Sequence, residues 1–359
     1  MPRIRPAVQS MKPYVPGKPV EDVQRELGIT DLVKLNQNEN PLGPSPKAVA
    51  AATAAMSLVH TYPEGSARAL RERLALLWEL PPDHFLVGNG SDEVFRLLAE
   101  VYLEPGDTIV VPAPSFSGYP LVGELMGARV LRIPLAEQTM DLPAMVRAAV
   151  ESGAKMLFLC RPNNPTGAVF PEEALRAVLP QVPPDCLVIL DEAYREFDET
   201  RFDSRALLLE YPNLVVTRTF SKIYGMAGFR LGYGVMRPEL IAPIYTARDP
   251  FSVNNLAVAA GLAALDDLEH LERTRALTRE GKAYLYAAFE RLGLPYVKSE
   301  ANFILFDVQR PAAEVFDQML RRGVLLRPCG SFGLPTHLRV TVGTPAENQR
   351  FVAALEQVK

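Results

Sequence analysis

Residues 187–194 read Leu-Val-Ile-Leu-Asp-Glu-Ala-Tyr, a short apolar run that ends in two adjacent carboxylates. Similar runs lie at residues 85–87, 108–111, 156–160 and 213–217, and helical patterns separate them. Each run is continuously apolar rather than alternating, which is typical of parallel strands buried on both faces of a sheet. We therefore predict an α/β fold in which a mostly parallel central sheet is flanked by helices.

The chain divides into three predicted parts. Residues 1–44 are rich in proline and glycine, which predicts an extended arm with one short helix near residues 20–27. Residues 45–250 hold the apolar runs and form the predicted large domain. Residues 251–359 predict long helices at 254–271 and 279–292 and then short strands, as in a smaller α+β domain on which the arm packs.

Composition and charge exclude several classes of protein. The 359 residues are 48% hydrophobic and 22% charged, as in soluble globular proteins. The formal net charge is −4, whereas a nucleic-acid binder normally carries a basic excess. We expect neither export nor a membrane, because the sequence has no signal peptide and no run of about 18 apolar residues. Three separated cysteines and four scattered histidines lack metal-ligand spacing, so we predict no metal, no disulfide framework and a cytoplasmic location.

Polar or turn-forming residues follow each of the apolar runs. In open parallel sheets, ligands bind at the carboxyl ends of the strands, which lie along one edge. We therefore expect one shared cleft, formed by residues 88–91, 114–116, 163–167, 191–194 and 219–222.

Two residues of this cleft are candidates for chemistry. Lys222 follows a strand and precedes a glycine-rich segment, so its amine can be partly desolvated and form a Schiff base. The alternative is an ordinary surface lysine at a strand end. Asp191 ends a buried run, where a carboxylate needs hydrogen bonds or a cation such as the protonated ring nitrogen of a pyridoxal cofactor. The alternative there is an aspartate that caps the next helix.

Residues 88–93, Gly-Asn-Gly-Ser-Asp-Glu, join a strand to a helix and predict an anion site made of backbone N–H groups. The dinucleotide-binding fingerprint is not met, because its sixth position is Glu93. Asp92 and Glu93 lie in the first helical turn and would repel a phosphate, so the site needs further donors. These can come from the side chains of Thr219, Ser221 and Arg230.

Spaced motifs run in order through the chain. They are Leu-Asn-Gln-Asn-Glu-Asn-Pro-Leu-Gly-Pro at 35–44, Tyr-Pro-Glu-Gly at 62–65, Gly-Ser-Asp-Glu at 90–93, Pro-Asn-Asn-Pro-Thr-Gly at 162–167, Asp-Glu-Ala-Tyr at 191–194, Thr-Phe-Ser-Lys at 219–222, Gly-Phe-Arg-Leu-Gly-Tyr at 228–233, Ala-Asn-Phe at 301–303 and Leu-Arg-Val-Thr-Val-Gly-Thr at 338–344. Together they resemble the fold-type I pyridoxal-phosphate aminotransferases, and most closely the histidinol-phosphate aminotransferase family. The resemblance covers nearly the whole chain.

The resemblance implies a fold-type I architecture with pyridoxal 5'-phosphate as the cofactor. Lys222, Asp191 and Tyr194 would be the catalytic residues. Lys222 would carry the cofactor, Asp191 would pair with its pyridine nitrogen, and Tyr194 would hold its 3'-oxygen together with Asn164. Phe116 would stack on the ring. The residues implied around the phosphate are Gly90, Ser91, Asp92, Thr219, Ser221 and Arg230.

The resemblance also implies a homodimer. Tyr62 would reach the cofactor phosphate from the neighbouring subunit, so that the two subunits share their active sites. Two positions depart from the family pattern. Phe116 stands where relatives often have tyrosine, and Arg161 stands where they often have asparagine. Arg161 adds a charge near the cofactor.

The implied reaction is transamination between L-histidinol phosphate and 2-oxoglutarate, which gives imidazole-acetol phosphate and L-glutamate in histidine biosynthesis. One pocket must then accept either a phosphate or a carboxylate. Arginine suits both anions because its guanidinium offers a bidentate fork. The substrate-binding residues that the resemblance places there are Tyr14, Asn38, Arg327 and Arg339.

Other functions share most of these motifs. An aromatic amino-acid aminotransferase is the main alternative, and a phosphothreonine decarboxylase on the same scaffold is another. A pyridoxal-binding transcription regulator would need a basic helix-turn-helix, for which the roughly 40 residues before the core are too few and too rich in proline. A catalytically silent cofactor-binding protein is disfavoured, since Lys222, Asp191 and Arg339 are all present.

Overall fold

The structure is a computed structural model that describes residues 2–9, 11 and 20–358. The predicted substrate residue Tyr14 therefore lies outside the described residues. The helices of the described part are α1 (Pro6–Gln9), α2 (Val20–Leu27), α3 (Pro46–Ala55), α4 (Arg68–Trp78), α5 (Ser91–Tyr102), α6 (Gly118–Met126), α7 (Leu142–Ser152), α8 (Glu172–Val178), α9 (Ser204–Glu210), α10 (Pro238–Ile241), α11 (Ile244–Ala247), α12 (Asn255–Leu265), α13 (Leu268–Leu292), α14 (Ala312–Arg321) and α15 (Pro345–Val358). Its strands are β1 (Val33–Lys34), β2 (Phe85–Gly88), β3 (Thr108–Ala113), β4 (Arg129–Ala136), β5 (Thr139–Met140), β6 (Met156–Cys160), β7 (Leu187–Asp191), β8 (Leu214–Thr219), β9 (Gly232–Val235), β10 (Phe303–Asp307), β11 (Val324–Leu325), β12 (Arg327–Pro328) and β13 (His337–Thr341).

An eight-stranded sheet forms the centre, in the order β2-β9-β8-β7-β6-β3-β4-β5. Strands β4, β3, β6, β7 and β8 pair in parallel. Strand β9 runs in the opposite direction and pairs antiparallel with β2 and β8. Strand β5, at the edge, pairs antiparallel with β4. Strands β6 and β7 are buried at every position, as their continuous apolar runs predict. The predicted α/β fold with a mostly parallel central sheet is confirmed.

Three strands of this sheet, β4, β5 and β9, were not predicted from the apolar runs, and β5 has two residues. Strand β4 alternates between exposed and half-buried residues and carries two arginines, so it lacks a continuous apolar run. Strand β9 is short and contains Gly232 and Gly234. A β-carbon at Gly232 would collide with the backbone of Gly90 and Ser91. Glycine is therefore needed where β9 passes the start of α5, although it weakens the strand signal.

The helices of the last third break at a different place from the one predicted. One helix ends at Leu265 and the next runs without interruption from Leu268 to Leu292, where the sequence predicts helices at 254–271 and 279–292. Asp267 precedes the second helix and accepts a hydrogen bond from Ser45 Oγ at 2.5 Å. The polar residues after position 271 do not break the helix, because Thr274 and Thr278 are buried within it.

A second, smaller hydrophobic cluster surrounds the three-stranded sheet β10-β13-β12 and the helices α13, α14 and α15. The arm reaches this cluster through Val33 and Leu35, and β1 pairs in parallel with β11. By contrast, Arg5, just before α1, donates to the Leu125 carbonyl on α6. Helix α12 packs into the larger cluster, beyond the predicted boundary at residue 250. The division into domains at residues 44 and 250 stays a prediction.

The state of the cysteines and the length of the apolar helices bear on where the protein can reside. Cys160, Cys186 and Cys329 are buried free thiols. Within residues 2–9, 11 and 20–358, no helix combines the length and apolarity needed to cross a bilayer.

Candidate active site

The carboxyl ends of the central strands bring the predicted cleft residues together. Cys160 at the end of β6 lies level with Asp191 at the end of β7, and Asp191 lies level with Thr217 in β8. Lys222 follows the end of β8. The cleft is closed on its other side by residues 36–38 of the arm and by Arg339 in β13.

Asp191 is buried at the floor of the cleft. Its Oδ2 accepts a hydrogen bond from the Tyr119 hydroxyl at 2.5 Å. Its Oδ1 accepts from Thr217 Oγ1 at 3.2 Å and from the backbone N–H of Ala193 at 3.1 Å. These three donors are uncharged, and burial raises the pKa of Asp191 to about 6. A cation placed in the cleft would therefore stabilise the ionised carboxylate.

The amine of Lys222 lies in the same cleft. Its Nζ donates a hydrogen bond to the Gln37 carbonyl at 3.1 Å and lies 5.8 Å from the centre of the Tyr194 ring. Burial and, after it, the charge of Arg339 lower the pKa of Lys222 to about 8. More of the amine is therefore neutral, and so nucleophilic, near neutral pH than in an ordinary lysine.

Tyr194 and Asn38 join the two sides of the cleft. The Tyr194 hydroxyl accepts a hydrogen bond from Asn38 Nδ2 at 3.0 Å, and the Asn38 backbone N–H donates to Thr341 Oγ1 at 2.9 Å. Burial raises the pKa of Tyr194 to about 12, so its hydroxyl keeps its proton at neutral pH. Asn38 thus connects Tyr194, which follows β7, to the end of β13.

The two predicted substrate arginines are neighbours. Arg339 in β13 donates to Asn164 Oδ1 and, at 2.8 Å, to the Asn36 carbonyl. Arg327 in β12 lies directly opposite Arg339 in the antiparallel pair. Two guanidinium groups on adjacent strands, one of them bonded to Asn164, form a cationic wall that suits a phosphate or a carboxylate.

The predicted phosphate residues meet at the start of α5. Gly90 has a φ of +82° and precedes the helix, and a β-carbon there would lie 2.6 Å from Arg230 Nη2. Arg230 donates to Ser221 Oγ at 3.4 Å and pairs with Asp92 at 3.2 Å. The Ser221 backbone N–H donates to Thr219 Oγ1 at 3.1 Å. A helix N-terminus, an arginine and two hydroxyl-bearing residues are the donors that a phosphate needs.

Two aromatic residues complete the predicted set. Phe116 packs edge-on against Tyr119, with ring centres 5.4 Å apart. Tyr62 instead stacks on Phe251 at 4.7 Å and is 81% exposed. The exposed position of Tyr62 leaves its ring and hydroxyl accessible to another chain.

Sequence reasoning missed several residues that hold the site together. Tyr119 and Thr217 donate to Asp191, Gln37 accepts from Lys222, and Thr341 bonds Asn38. The contact of Thr217 with Asp191 depends on the register between β7 and β8, which a single sequence does not reveal. The position of Tyr119 could have been predicted. It lies three residues after the cleft residue Phe116, and residues at that spacing in a helical turn lie on the same side.

The charge of Arg161 is paired. Its side chain is buried and forms an ion pair with Asp198, and it donates to the Phe170 carbonyl at 2.7 Å and to Thr200 Oγ1 at 2.8 Å. The guanidinium lies 4.0 Å from the centre of the Phe202 ring. The charge that Arg161 adds is therefore balanced by Asp198, which also lies 3.4 Å from Arg195.

Comparisons with known proteins agree along the whole chain. The sequence matches the family "Aminotransferase class I and II" over residues 30–355. It is 78% identical to histidinol-phosphate aminotransferase of Symbiobacterium thermophilum, over 99% of this chain and 98% of the relative. It is 47% identical to the protein of that name from Moorella thermoacetica, over 100% of this chain and 93% of the relative. The solved structure of histidinol-phosphate aminotransferase from Sinorhizobium meliloti, in complex with pyridoxal-5'-phosphate, is 26% identical with a TM-score of 0.92, over 99% of this chain and 97% of that one.

The buried ion pair predicts a large effect of Arg161 on stability. Replacing Arg161 with Met leaves the buried Asp198 with the longer pair to Arg195, at 3.4 Å, so we expect the free energy of unfolding to fall by about 3 kcal/mol, the lower end of the cost of breaking a buried pair. Arg279→Met is the matched control, since it breaks the exposed pair with Glu199 and should cost less than about 1 kcal/mol. Urea denaturation of both variants measures the difference. Equal, small losses in the two variants would contradict a structural role for Arg161.

Proposed function

Because the chain belongs to the class I and II aminotransferases and, among them, to the histidinol-phosphate aminotransferase family, we propose that it transfers the amino group of L-histidinol phosphate to 2-oxoglutarate. The products are imidazole-acetol phosphate and L-glutamate, and the pathway is histidine biosynthesis. The observation that carries this proposal is the close, whole-chain similarity to curated relatives of that name.

Pyridoxal 5'-phosphate is the cofactor, and the residues of the cleft fit it. The buried Asp191 has only uncharged donors and so accommodates a protonated ring nitrogen. Gly90 leaves open the space beside Arg230 at the start of α5, where a phosphate can approach the backbone. Lys222 supplies a partly desolvated amine for the aldehyde.

The chain's own residues then have distinct tasks. Bound pyridoxal phosphate supplies an electron sink for the substrate carbon that bears the amino group. Lys222 would hold the cofactor at rest. Once the substrate's amine has displaced it, its free Nζ would take the proton from that carbon and deliver it to the cofactor carbon that had been the aldehyde. Asp191 keeps the ring nitrogen protonated, which sustains the electron sink. Asn164 and Tyr194 hold the 3'-oxygen, and Phe116 packs on the ring.

We assign substrate binding to the cationic wall of Arg339 and Arg327. Asn38 and, from the arm, Tyr14 are the other proposed substrate-binding residues. The pairing of β12 with β13 supports this assignment, because it sets the two arginines side by side. One such pair serves the phosphate of histidinol phosphate in one half-reaction and the carboxylates of glutamate in the other. Aromatic amino-acid transamination and phosphothreonine decarboxylation are less favoured, because the relatives reported above carry the histidinol-phosphate name.

We also propose a cytoplasmic setting. The three cysteines are buried free thiols, which suits a reducing compartment. A biosynthetic reaction that uses glutamate and 2-oxoglutarate fits the same setting.

The proposed homodimer is supported by exposed apolar side chains on the Tyr62 side of the molecule. Met56, Leu58 and Val59 are each more than half exposed, with 54%, 53% and 56% of their surface accessible. Tyr62 and its stacking partner Phe251 are exposed as well, at 81% and 47%. A second copy of the chain would cover this surface and take Tyr62 into its own active site.

A panel of amino donors tests the proposed reaction. With 2-oxoglutarate as acceptor, kcat/KM for L-histidinol phosphate should exceed that for phenylalanine by about 100-fold or more. The phosphate can pair with both arginines, whereas the single carboxylate of phenylalanine leaves part of their charge unpaired. Phosphothreonine should release no carbon dioxide. Lys222→Ala is the control and should show no turnover with any donor. A preference for phenylalanine, or full activity of Lys222→Ala, would refute the proposal.

Mixing two impaired variants tests the shared site. Lys222→Ala and Tyr62→Ala are each expected to be impaired as homodimers. A mixed dimer contains one site with an intact Lys222 from one chain and an intact Tyr62 from the other, so random mixing should restore roughly a quarter of wild-type activity. The molar mass of the wild-type protein in solution is measured first, to establish that it is a dimer. If Tyr62 serves its own chain, or the protein is a monomer, mixing restores nothing.

Gly90 allows a test of the phosphate cradle. In Gly90→Ala the new β-carbon displaces the end of the flexible Arg230 side chain, so the fold survives while a phosphate donor moves. We expect the cofactor dissociation constant to rise by about tenfold, roughly the loss of one charged hydrogen bond. Gly106→Ala is the matched control, with a φ of +96° and open space around it. Titration of the apoenzyme with pyridoxal phosphate compares the two, and equal effects would point to backbone strain alone.

A further inference from the structure

Tyr119 is a buried tyrosine whose hydroxyl touches the central carboxylate of the site. It lies in the first turn of α6, and it donates to Asp191 Oδ2 at 2.5 Å. The other oxygen of Asp191 receives both remaining donors, Thr217 and the backbone of Ala193. Among the described residues, the hydrogen bond to Oδ2 is therefore donated by Tyr119.

The ring of Tyr119 is held by aromatic neighbours on several sides. It stacks on Phe158 at 4.9 Å with an interplanar angle of 21°. Phe95 and Phe116 each meet it edge-on at 5.4 Å. Rings packed in this way restrict the side chain to one rotamer, so the hydroxyl has a fixed direction. Its position is thus set by α5, α6 and β6 rather than by Asp191 itself.

The hydroxyl of Tyr119 stays protonated. Burial, and after it the charge of Asp191, raises the pKa of Tyr119 well above its ordinary value. Burial likewise raises the pKa of the neighbouring Cys160 thiol in β6 to about 12. Asp92 in α5 also acts on Asp191, and its negative charge disfavours ionisation. Tyr119 therefore acts as a fixed, neutral donor over the working pH range.

We propose that Tyr119 is a positioning residue for Asp191, whose carboxylate it keeps ionised and oriented toward the ring nitrogen of the cofactor. This inference rests on the proposed function, since it assumes that Asp191 faces that nitrogen. Tyr119 itself touches neither substrate nor cofactor in this assignment, and it acts only through Asp191.

Removing the hydroxyl has a predictable direction. In Tyr119→Phe, Oδ2 loses its donor, so the carboxylate becomes more basic and draws the shared proton away from the ring nitrogen. The ring then carries less positive charge. Positive charge on the ring disfavours a proton on the nitrogen that joins Lys222 to the cofactor, so that nitrogen should titrate at higher pH in the variant. The visible absorbance of the holoenzyme reports this titration.

The experiment is a visible-absorbance pH titration of the Tyr119→Phe holoenzyme, together with kcat and KM. We expect the midpoint to rise by about half a pH unit or more, and kcat to fall by about tenfold with little change in KM. Tyr102→Phe is the matched control, because it removes a half-buried hydroxyl that donates to the Leu240 carbonyl at 2.9 Å, outside the cleft. An unchanged midpoint in Tyr119→Phe, or the same shift in Tyr102→Phe, overturns the proposal.

A second measurement separates positioning from stability. In an Asp191→Asn background the site holds no carboxylate that could take the proton of the ring nitrogen, so adding Tyr119→Phe should leave the midpoint unchanged, whereas a purely structural tyrosine would have the same effect in both backgrounds. The titration does not depend on which amine is the substrate. A wild type that holds the cofactor but ignores histidinol phosphate refutes the proposed function, while the titration still decides the role of Tyr119.

Discussion

The burial of one carboxylate, that of Asp191, is the constraint on which the site depends. Strand β7 is covered on both faces, so its last residue is shielded from water. A carboxylate in such a place stays ionised only if the protein supplies donors, and here they come from α6, β8 and the loop after β7. Asp191 lies level with Thr217 and with Cys160, so the strand register builds the carboxylate's surroundings. A slip of one residue in that register would point Asp191 to the other face of the sheet.

The cleft also depends on contacts between the two hydrophobic clusters. Asn38 bonds Tyr194 on one side and Thr341 on the other, and Arg339 bonds Asn164. Lys222 donates to the carbonyl of Gln37. These hydrogen bonds set Arg339 of the smaller sheet, with Arg327 opposite it, against the strand ends of the larger sheet. The two arginines therefore lie on the side of the smaller sheet, and the buried carboxylate of Asp191 lies on the side of the larger one.

The sequence predicted those features that local chemistry determines. The continuous apolar runs identified four of the five parallel strands, and the resemblance to the histidinol-phosphate aminotransferases, now confirmed, predicted which residues would surround the cofactor. Features set by distant contacts were missed. Strand β9 needs Gly232 because the backbone of Ser91 passes beside it, and at the helix break before Leu268 the side chain of Asp267 bonds Ser45. Neither partner lies near in sequence, so no local pattern contains the information.

Arg161 shows how the same strand ends serve two purposes. Successive residues of a strand face opposite sides, so Asp191 faces the cleft while Glu192 faces away from it. On that far side Glu192 accepts from Arg218 at 2.8 Å, and Arg161 pairs with Asp198. The Arg161–Asp198 pair is buried, whereas Arg218 is partly exposed, and both pairs connect the ends of β6, β7 and β8 to the segments that follow them.

Buried pairs of this kind add little net stability compared with well-packed apolar side chains, but losing one partner is costly. They therefore suit a position where geometry matters more than stability. The backbone N–H of Arg161 bonds the carbonyl of Asp191, and three residues later Asn164 meets Arg339. Fixing Arg161 from behind thus holds Asp191 and Arg339 at a set distance across the cleft.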